Sequence, residues 1–411
     1  MSGGIVKSMT IHPAKTIESI EQNLVIESKT RKIQVGFAIV YASAFPAMPL
    51  FQLMKSSNNY EPELVVIPDA LRYKDNYSNF ISMQTDLLGV SNPIRRGVDN
   101  DTGEILDVFA KYDVVCFSVP YPEMVEQLHS ITHLSEQGKL VFYVNYSFGV
   151  STHDLHWLSS TQLSFLWRAF VPTEFHARRW MSQSLLLKKR IVVTGYPKLD
   201  SLDPISKDKS FRKRIILAPH HSIDDKDSKW SLGNFLELCE MYAKIPELFP
   251  QVDFDFRPHP LLKGKLESDD IWGKDLTSLY FERITSLPNV KLSEESDYME
   301  LFAKSDALIH NSGSFLAEYF YTMMPVAYFI SNKRLLNKSL HKFGRMCLRR
   351  HYFLYNLENV IQFITEVVLS EHDSKKSKRL RFLKRKLQKK SISSSQRIIN
   401  ELDKVLFVYD S

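Results

Sequence analysis

The segment Arg257-Pro258-His259-Pro260 combines a guanidinium and an imidazole with two prolines, directly after the apolar run of residues 252–256. The prolines fix the backbone, and the position predicts that Arg257 and His259 lie at the carboxyl end of a strand. There, Arg257 could pair with two phosphate oxygens, and His259 could stabilise the charge that develops as a nucleotide departs. Arg257 and His259 are therefore predicted catalytic residues.

A second segment, residues 310–318, reads His-Asn-Ser-Gly-Ser-Phe-Leu-Ala-Glu and lies between an apolar run and a helical pattern. Backbone N–H groups at such a turn can bind phosphate oxygens, so Ser312, Gly313 and Ser314 are predicted to hold a diphosphate. Glu318 lies one helical turn later, where its carboxylate could accept hydrogen bonds from ribose hydroxyls. In the alternative interpretation, Ser312 only caps the helix and Glu318 lies on a solvated face.

A third segment places His220 and His221 directly after the apolar residues 214–218. Because the carboxyl ends of parallel strands meet at one edge of a sheet, all three segments are predicted to converge on one nucleotide-binding site. A metal site is not favoured, because adjacent histidines point in different directions in extended chain and no carboxylate or cysteine lies at a helpful spacing. The sequence predicts neither a metal nor another cofactor.

Apolar runs alternate with helical patterns in both halves of the chain, which predicts parallel sheets. The predicted strands are residues 31–41, 64–68, 112–119, 140–144 and 190–194, then 214–218, 252–256, 290–292, 307–309 and 326–330. A chain of 411 residues also exceeds the usual size of a single core. The predicted fold class is α/β, with two Rossmann-like domains facing a cleft. Residues 31–200 form the predicted acceptor-side domain, and residues 201–370 form the predicted donor-side domain. An N-terminal extension of residues 1–30 and a basic helical tail of residues 371–411 complete the prediction.

The composition is that of a globular protein, with 44% hydrophobic and 24% charged residues. The chain contains no apolar stretch approaching about 20 residues and no signal-type N-terminus, so we expect a cytoplasmic protein. The three cysteines are far apart and fit neither a zinc site nor a CxxC pair. They are predicted to be buried, reduced thiols.

Most of the excess positive charge lies in residues 375–390, which read KKSKRLRFLKRKLQKK. Leu380, Phe382, Leu383 and Leu387 recur at helical spacing, which predicts an amphipathic helix. Such a helix could hold the protein at an anionic membrane surface, or its apolar side could pack against the protein and leave the basic side solvated. Nucleic acid is not a predicted partner, because no recognisable nucleic-acid module accompanies the tail.

Together, the three segments resemble the CDP-glycerol glycerophosphotransferase family of teichoic-acid and capsule enzymes, which have an Ala-Pro loop, an Arg-x-His-Pro motif and a serine-rich turn followed by an acid. Residues 195–200, Gly-Tyr-Pro-Lys-Leu-Asp, resemble the segment between that family's domains. The similarity spans about residues 191–330. It implies a GT-B fold of two Rossmann-like domains, metal-independent transfer, a nucleotide held by the C-terminal domain and an acceptor presented by the N-terminal domain.

The resemblance also implies roles for single residues: His259 and the 312–314 turn would contact the donor's phosphates, Glu318 would lie near its ribose, and Arg257 and His220 would neighbour the diphosphate. This chain differs from that family in one loop. The teichoic-acid polymerases have a Trp-His-Gly-Thr loop whose histidine resembles a general base, whereas residues 144–149 here read Val-Asn-Tyr-Ser-Phe-Gly. The base predicted instead is His153, with Asp154 and His156 as alternatives, because any of them could lie within reach of an acceptor hydroxyl.

The predicted function is transfer of glycerol phosphate from CDP-glycerol to an acceptor hydroxyl, with release of CMP, in the synthesis of a cell-surface polymer. The predicted acceptor is a lipid-linked or polymeric glycan, and the predicted location is the inner face of the cell membrane. Two alternatives remain: an inverting glycosyltransferase that uses a nucleotide sugar for capsule or lipopolysaccharide synthesis, and a non-catalytic nucleotide-binding subunit of a polymer-assembly complex.

Overall fold

The computed structural model describes residues 13–74, 76–90, 93–119, 121–152, 154, 160–202, 212–223, 232–295, 297–387 and 392–407. The chain forms two compact units. The first unit consists of Met1–Tyr146, Trp157–Pro197 and Ile392–Ser411, and the second unit consists of Ser147–His156 and Lys198–Ser391. Whether residues 31–200 and 201–370 act as separate domains, as predicted, stays a prediction.

The first unit is built on a parallel sheet whose described strands follow the order β3-β2-β1-β4-β5-β6-β7. The strands are β1 (Ile33–Ile39), β2 (Tyr60–Val66), β3 (Ile94–Arg96), β4 (Val114–Phe117), β5 (Leu140–Val144), β6 (Arg168–Val171) and β7 (Ile191–Val193). All five residues of β5 are buried, which explains its unbroken apolar sequence. Phe37 and Ala38 of β1 point to opposite faces of the sheet, and each belongs to a different hydrophobic cluster. The sheet is therefore covered on both faces.

The helices of the first unit that precede residue 198 are α1 (Pro13–Glu27), α2 (Met48–Lys55), α3 (Tyr77–Leu88), α4 (Ile131–Glu136), α5 (Ser160–Ser164) and α6 (Glu174–Met181). Pro49 lies in the first turn of α2, where its missing N–H costs no helical hydrogen bond. Gly89 ends α3 in the left-handed conformation, with φ of 57°, which glycine adopts readily. The boundaries of these helices thus follow from local residue chemistry.

The second unit contains another parallel sheet, with the described strands in the order β10-β9-β8-β11-β12-β13. The strands are β8 (Arg214–Ala218), β9 (Asp253–Phe256), β10 (Val290–Leu292), β11 (Ala307–His310), β12 (Val326–Phe329) and β13 (Tyr352–Leu354). The helices are α7 (Phe235–Leu248), α8 (Pro260–Leu266), α9 (Gly273–Thr285), α10 (Met299–Lys304), α11 (Phe315–Glu318), α12 (Lys333–Ser339), α13 (Lys342–Leu348), α14 (Leu357–Gln362) and α15 (Lys376–Lys386). Both sheets are parallel, so the predicted α/β class is confirmed.

The register of the second sheet aligns the carboxyl ends of three strands. In β8, Leu217 pairs with Phe256 of β9, and Ala218 pairs with His310 of β11. The segments that follow these strands therefore leave the sheet at the same edge, which is the edge where open α/β sheets bind ligands. This edge carries all three sequence segments singled out above.

The predicted basic helix is observed as α15, and its apolar side is part of the protein interior. Phe382 is 3% exposed, and Leu387, directly after the helix, is fully buried. The Phe382 ring packs edge-on against Phe320, and the Arg350 guanidinium carbon lies 4.0 Å from the Phe382 ring centroid. Of the two interpretations of this segment, packing against the protein is the observed one, so these apolar side chains are not available to lipid.

The solvent-facing side of α15 carries the cations Lys376, Lys378, Arg381, Lys384, Arg385 and Lys386. After it, α16 (Ser394–Leu406) returns to the first unit, where Ile398 and Leu402 enter the same hydrophobic cluster as Phe37 of β1. Among the described helices, none combines the length and the apolar character needed to cross a membrane.

Candidate functional site

Three histidines meet at the carboxyl edge of the second sheet. His220 and His221 follow β8, and His259 follows the adjacent strand β9. The ring centroids are 4.1 Å apart for His220 and His221, 4.3 Å for His221 and His259, and 5.3 Å for His220 and His259. We call these three residues the imidazole cluster. The predicted convergence of two separate segments is thus realised by the pairing of β8 with β9.

Backbone hydrogen bonds fix the orientation of two rings in the imidazole cluster. The N–H of Ser222 donates to Nδ1 of His220 at 3.2 Å, and the N–H of Leu261 donates to Nδ1 of His259 at 3.1 Å. A ring nitrogen that accepts a hydrogen bond carries no proton, so in the neutral ring the proton lies on Nε2. The Ser222 hydroxyl also lies 2.8 Å from Nδ1 of His220 and donates to it in this tautomer, so both rings present Nε2–H as a hydrogen-bond donor.

His220 and His259 are neutral near pH 7. Burial lowers the pKa of His220 and of His259 well below the usual value, and the positive charges of neighbouring histidines and of Lys265 lower both further. His220 is only 6% exposed, whereas His221 and His259 keep partial access to solvent. The lowered pKa of His259 therefore favours a neutral N–H donor over a cation as the form that would stabilise a departing nucleotide.

The 310–314 turn lies directly beside the imidazole cluster. The Asn311 side-chain oxygen accepts the backbone N–H of His220 at 2.6 Å, which joins the turn after β11 to the segment after β8. The Nδ2 atom of Asn311 is buried and has no hydrogen-bond partner among the described residues. The N–H of Ser312 donates to Nδ1 of His310 at 3.1 Å, which fixes the first bend of the turn. Asn311, which the sequence did not single out, thus connects two of the predicted segments.

The three predicted phosphate-binding residues lie together in this turn. Ser312 and Ser314 are partly exposed, and Gly313 is buried. A Cβ atom at Gly313 would lie 3.2 Å from a Leu232 methyl carbon and 3.4 Å from a Val150 methyl carbon, so the turn has little room for a side chain. Ser314 precedes α11, and its side chain forms no capping hydrogen bond. That Ser312, Gly313 and Ser314 hold a diphosphate stays a prediction.

Glu318 is fully buried, at the end of α11. Its Oε2 atom accepts a hydrogen bond from the Tyr298 hydroxyl at 2.6 Å, and its Oε1 atom has no hydrogen-bond partner among the described residues. Burial raises the pKa of Glu318 to about 7, although the positive charge of Lys198 and the Tyr298 hydroxyl act in the opposite direction. The alternative of a solvated face is wrong, and the predicted contact with a ribose stays a prediction.

Lys198 is the buried cation that accompanies Glu318. It is 7% exposed, and its ammonium lies 4.1 Å from the centroid of the Tyr298 ring. Burial lowers the pKa of Lys198 to about 8, against the effect of the Glu318 and Asp297 carboxylates. The sequence had marked Lys198 only as part of the segment that resembles the family's interdomain motif. That Lys198 is buried near Glu318 follows from the tertiary structure, and sequence spacing alone does not reveal it.

Arg257 forms several contacts inside the second unit. Nη1 donates to the Ser293 hydroxyl at 3.1 Å, and Nη2 donates to the main-chain oxygen of Glu295 at 2.7 Å. The guanidinium carbon also lies 5.3 Å from the centroid of the Tyr298 ring, and the Glu295 carboxylate lies 3.8 Å from Nη1. These contacts direct the guanidinium toward the end of β10. Its predicted role as a catalytic phosphate-binding residue stays a prediction.

The predicted general base lies outside the described residues, since neither His153 nor His156 is among them. Asp154 is described, and its Oδ2 atom accepts the backbone N–H of Ser151 at 2.6 Å. The surrounding segment, Ser147–His156, groups with the second unit, whereas the base was expected in the N-terminal domain. Two hydrogen bonds join this segment to His341 of the second unit. The ring nitrogen Nε2 of His341 lies 2.8 Å from the Gly149 main-chain oxygen, and the His341 N–H donates to the Val150 oxygen.

A second polar cluster lies at the carboxyl edge of the first unit's sheet. Asp69, after β2, is fully buried and accepts hydrogen bonds from the backbone N–H groups of Leu71 and Arg72, at 2.9 Å and 3.2 Å. Its other oxygen accepts the Tyr41 hydroxyl and Nη1 of Arg72, the latter at 3.0 Å. Asp69 thus holds a partly exposed guanidinium at the carboxyl edge of this sheet, in the part of the chain that was predicted to present the acceptor.

No protein-family model matches this chain, and no curated protein matches it. Solved structures do. A structure of the wall teichoic acid polymerase TagF superposes with a TM-score of 0.61 at 14% identity and covers 97% of this chain and 98% of that chain. A Staphylococcus aureus MnaA–UDP complex superposes with a TM-score of 0.56 at 14% identity and covers 93% of this chain and 98% of that chain. UDP-GlcNAc 2-epimerase from Neisseria meningitidis, bound to UDP-GlcNAc, superposes with a TM-score of 0.55 at 14% identity. This match covers 91% of this chain and 100% of that chain. At this identity the likeness establishes the fold: two α/β units with parallel sheets, of the GT-B type.

Proposed function

We propose that this protein is a transferase of cell-surface polymer synthesis that moves glycerol phosphate from CDP-glycerol to an acceptor hydroxyl and releases CMP. The observation that carries the proposal is the imidazole cluster, which lies beside the 310–314 turn at the carboxyl edge of the second sheet. Neutral Nε2–H groups and a glycine-containing turn suit the oxygens of a diphosphate. The likeness to a wall teichoic acid polymerase supports this choice of chemistry.

In the proposed reaction, the acceptor hydroxyl attacks the phosphorus atom that carries glycerol. A new P–O bond forms to the acceptor, the bond between this phosphorus and the oxygen bridging to CMP breaks, and the hydroxyl proton passes to a base. His259 and His220 donate hydrogen bonds to the departing phosphate, where negative charge accumulates. The predicted base, His153 or its neighbours Asp154 and His156, remains the candidate for the proton transfer.

The proposed acceptor is a lipid-linked or polymeric glycan at the inner face of the cell membrane. The solvent-facing cations of α15 would attract an anionic membrane surface by charge alone, because the apolar side of this helix is buried. Each such cation contributes about 1 kcal/mol when it lies near the surface. The membrane association that we propose is therefore electrostatic and sensitive to salt.

A second candidate is an inverting glycosyltransferase that uses a nucleotide sugar. The observation that favours it is the likeness to structures determined with bound UDP and with bound UDP-GlcNAc. In this case the acceptor attacks the anomeric carbon, and the whole nucleoside diphosphate departs. The imidazole cluster would serve both reactions, because each needs a diphosphate to be held.

The test is calorimetric titration of the full chain with CDP-glycerol, CMP, CDP, UDP and UDP-GlcNAc, followed by an assay of CMP release with a glycerol-phosphate-primed acceptor. A His259→Asn variant tests the site, and Lys263→Met, a change of an exposed residue on α8, is the matched control. Binding of CDP-glycerol that is lost in His259→Asn, together with CMP release, supports the proposal. Selective binding of UDP-GlcNAc favours the glycosyltransferase, binding without turnover favours the non-catalytic subunit, and no nucleotide binding refutes all three.

A further inference from the structure

The imidazole cluster supplies hydrogen-bond donors but little positive charge. The Nδ1 atoms of His220 and His259 accept backbone N–H groups, so each neutral ring presents a single Nε2–H. A diphosphate carries two or three negative charges, and binding in a partly desolvated site needs a cation as well as neutral donors. Another residue at this edge of the sheet must provide that charge.

Lys265 lies against the imidazole cluster. Helix α8 begins directly after His259, and Lys265 lies in its last turn, from which its side chain extends back toward the helix N-terminus. Its ammonium donates to the main-chain oxygen of His221 at 3.2 Å. At this position the positive charge of Lys265 lowers the pKa of both His220 and His259.

Arg257 is less suited to this role, although it lies two residues before His259. Its terminal nitrogens donate to Ser293 and to the main chain of Glu295, and the Glu295 carboxylate lies 3.8 Å away. Its charge is therefore partly balanced within the protein. Lys265 is a residue to which neither the sequence motifs nor the family resemblance assigned any role.

We propose that Lys265 provides the positive charge of a phosphate pocket whose neutral walls are the Nε2–H groups of His220 and His259. The inference rests on the proposed function, in which this phosphate belongs to the diphosphate of the donor. It adds a binding residue, and it assigns the imidazole cluster to an anion instead of a metal ion.

The geometry also argues against the metal alternative. Ring nitrogens of the three histidines lie within 4.8 Å of one another, a spacing that a metal ion could use. Ligation through Nε2 would move the proton of His259 to Nδ1, where it would face the backbone N–H of Leu261 at 3.1 Å. A metal-bound histidine instead needs an acceptor at its second nitrogen. Of these two rings, only His220 has a possible acceptor at Nδ1, the Ser222 hydroxyl at 2.8 Å. The Lys265 ammonium would in addition repel a divalent cation.

The first test measures binding of inorganic pyrophosphate to the full chain by calorimetry. Lys265→Met removes the charge and keeps the length of the side chain, Lys265→Arg keeps the charge, and Lys263→Met changes an exposed lysine on the same helix. Because Lys265→Met removes a charged hydrogen bond to the phosphate, it is expected to weaken pyrophosphate binding by at least about tenfold. Lys265→Arg should retain most of the affinity, and Lys263→Met all of it.

Affinity of Lys265→Met within about twofold of the wild type would overturn the inference, and so would a wild type that does not bind pyrophosphate. Equal melting temperatures of the variants establish that the fold is intact. If CDP-glycerol binds and Lys265→Met has no effect, the inference fails and the proposed function stands. If pyrophosphate binding depends on Lys265 but no nucleotide binds, the inference stands and the proposed function fails.

The second test determines the protonated nitrogen of the rings by ¹⁵N NMR of the chain labelled at histidine, with signals assigned from His220→Gln and His259→Gln. We expect protons on Nε2 of both rings, and signal changes on addition of pyrophosphate. Protons on Nδ1, or Zn²⁺ that shifts both sets of signals at equimolar concentration while pyrophosphate shifts neither, would overturn the assignment in favour of a metal site.

Discussion

Replacement of Lys198 by methionine is expected to destabilise the second unit, because the change leaves the Glu318 carboxylate buried without its cation. Glu318 is fully buried and Lys198 is 7% exposed. The Tyr298 hydroxyl, at 2.6 Å from Oε2, remains as a hydrogen-bond donor, but a neutral donor does not balance the charge. Removal of one of two opposite buried charges costs about 3–5 kcal/mol where the other stays ionised, which for Glu318 is from about pH 7 upward.

The pKa shifts show that burial opposes the charge of both residues. Burial raises the pKa of Glu318 from 4.5 to about 7 and lowers the pKa of Lys198 from 10.5 to about 8. Each shift corresponds to roughly 3 kcal/mol, which is the net cost of ionising that residue in the folded chain while the other residue is present. The double variant Lys198→Met with Glu318→Gln removes both charges. It should therefore recover most of the stability that Lys198→Met alone loses.

The pH dependence provides an independent test. The folded chain keeps a proton on Glu318 up to about pH 7, whereas the unfolded chain releases it near 4.5. Between these values the folded state binds more protons, so the contribution of Glu318 to the free energy of unfolding falls as pH rises. This contribution is fully present below the unfolded pKa and is lost as pH passes the folded pKa. The variant Glu318→Gln should lack this slope.

Scanning calorimetry of the full chain at about pH 5, 6 and 7 measures both effects, with the unfolding transition of the second unit as the readout. Lys198→Met should lower the transition temperature most at pH 7, where Glu318 begins to ionise. Two results would refute the reasoning: a double variant as unstable as the sum of the two single variants, or a Glu318→Gln variant that keeps the wild-type pH dependence.

Three shorter predictions concern other parts of the second unit. Asn311→Ala removes the acceptor of the buried His220 N–H, so it is expected to lower the free energy of unfolding by about 1–3 kcal/mol and to weaken nucleotide binding by about tenfold, and unchanged affinity would contradict this. Gly313→Ala places a methyl group 3.2 Å from Leu232, so we expect weaker pyrophosphate binding in titration, whereas full affinity would show that the turn can adjust. Phe382→Ala should cost about 3–5 kcal/mol in urea unfolding, and a loss below about 1 kcal/mol would mean that this side of α15 is not core.

Local sequence patterns predicted the fold class, because parallel strands that are covered on both faces need continuous apolar residues. Residues 140–144 and 214–218, for example, coincide with β5 and β8. The likeness to solved structures agrees with the two-domain α/β architecture that the family resemblance implied. The helix in the basic segment was also predicted, since its apolar residues recur at helical spacing, but the same spacing suits burial against lipid or protein equally well.

The sequence by itself also determined that His220, His221 and His259 follow strands, and the rule that ligands bind at the carboxyl edge of parallel strands predicted that they would meet. Only the tertiary structure decided their chemistry. Which ring nitrogen carries the proton depends on backbone N–H groups placed by the turns, and the partner of a buried charge such as Glu318 comes from a distant residue, Lys198. Burial and electrostatic neighbours are properties of the packed chain, so they decide how a residue ionises and what it binds, whereas spacing decides only which element carries it.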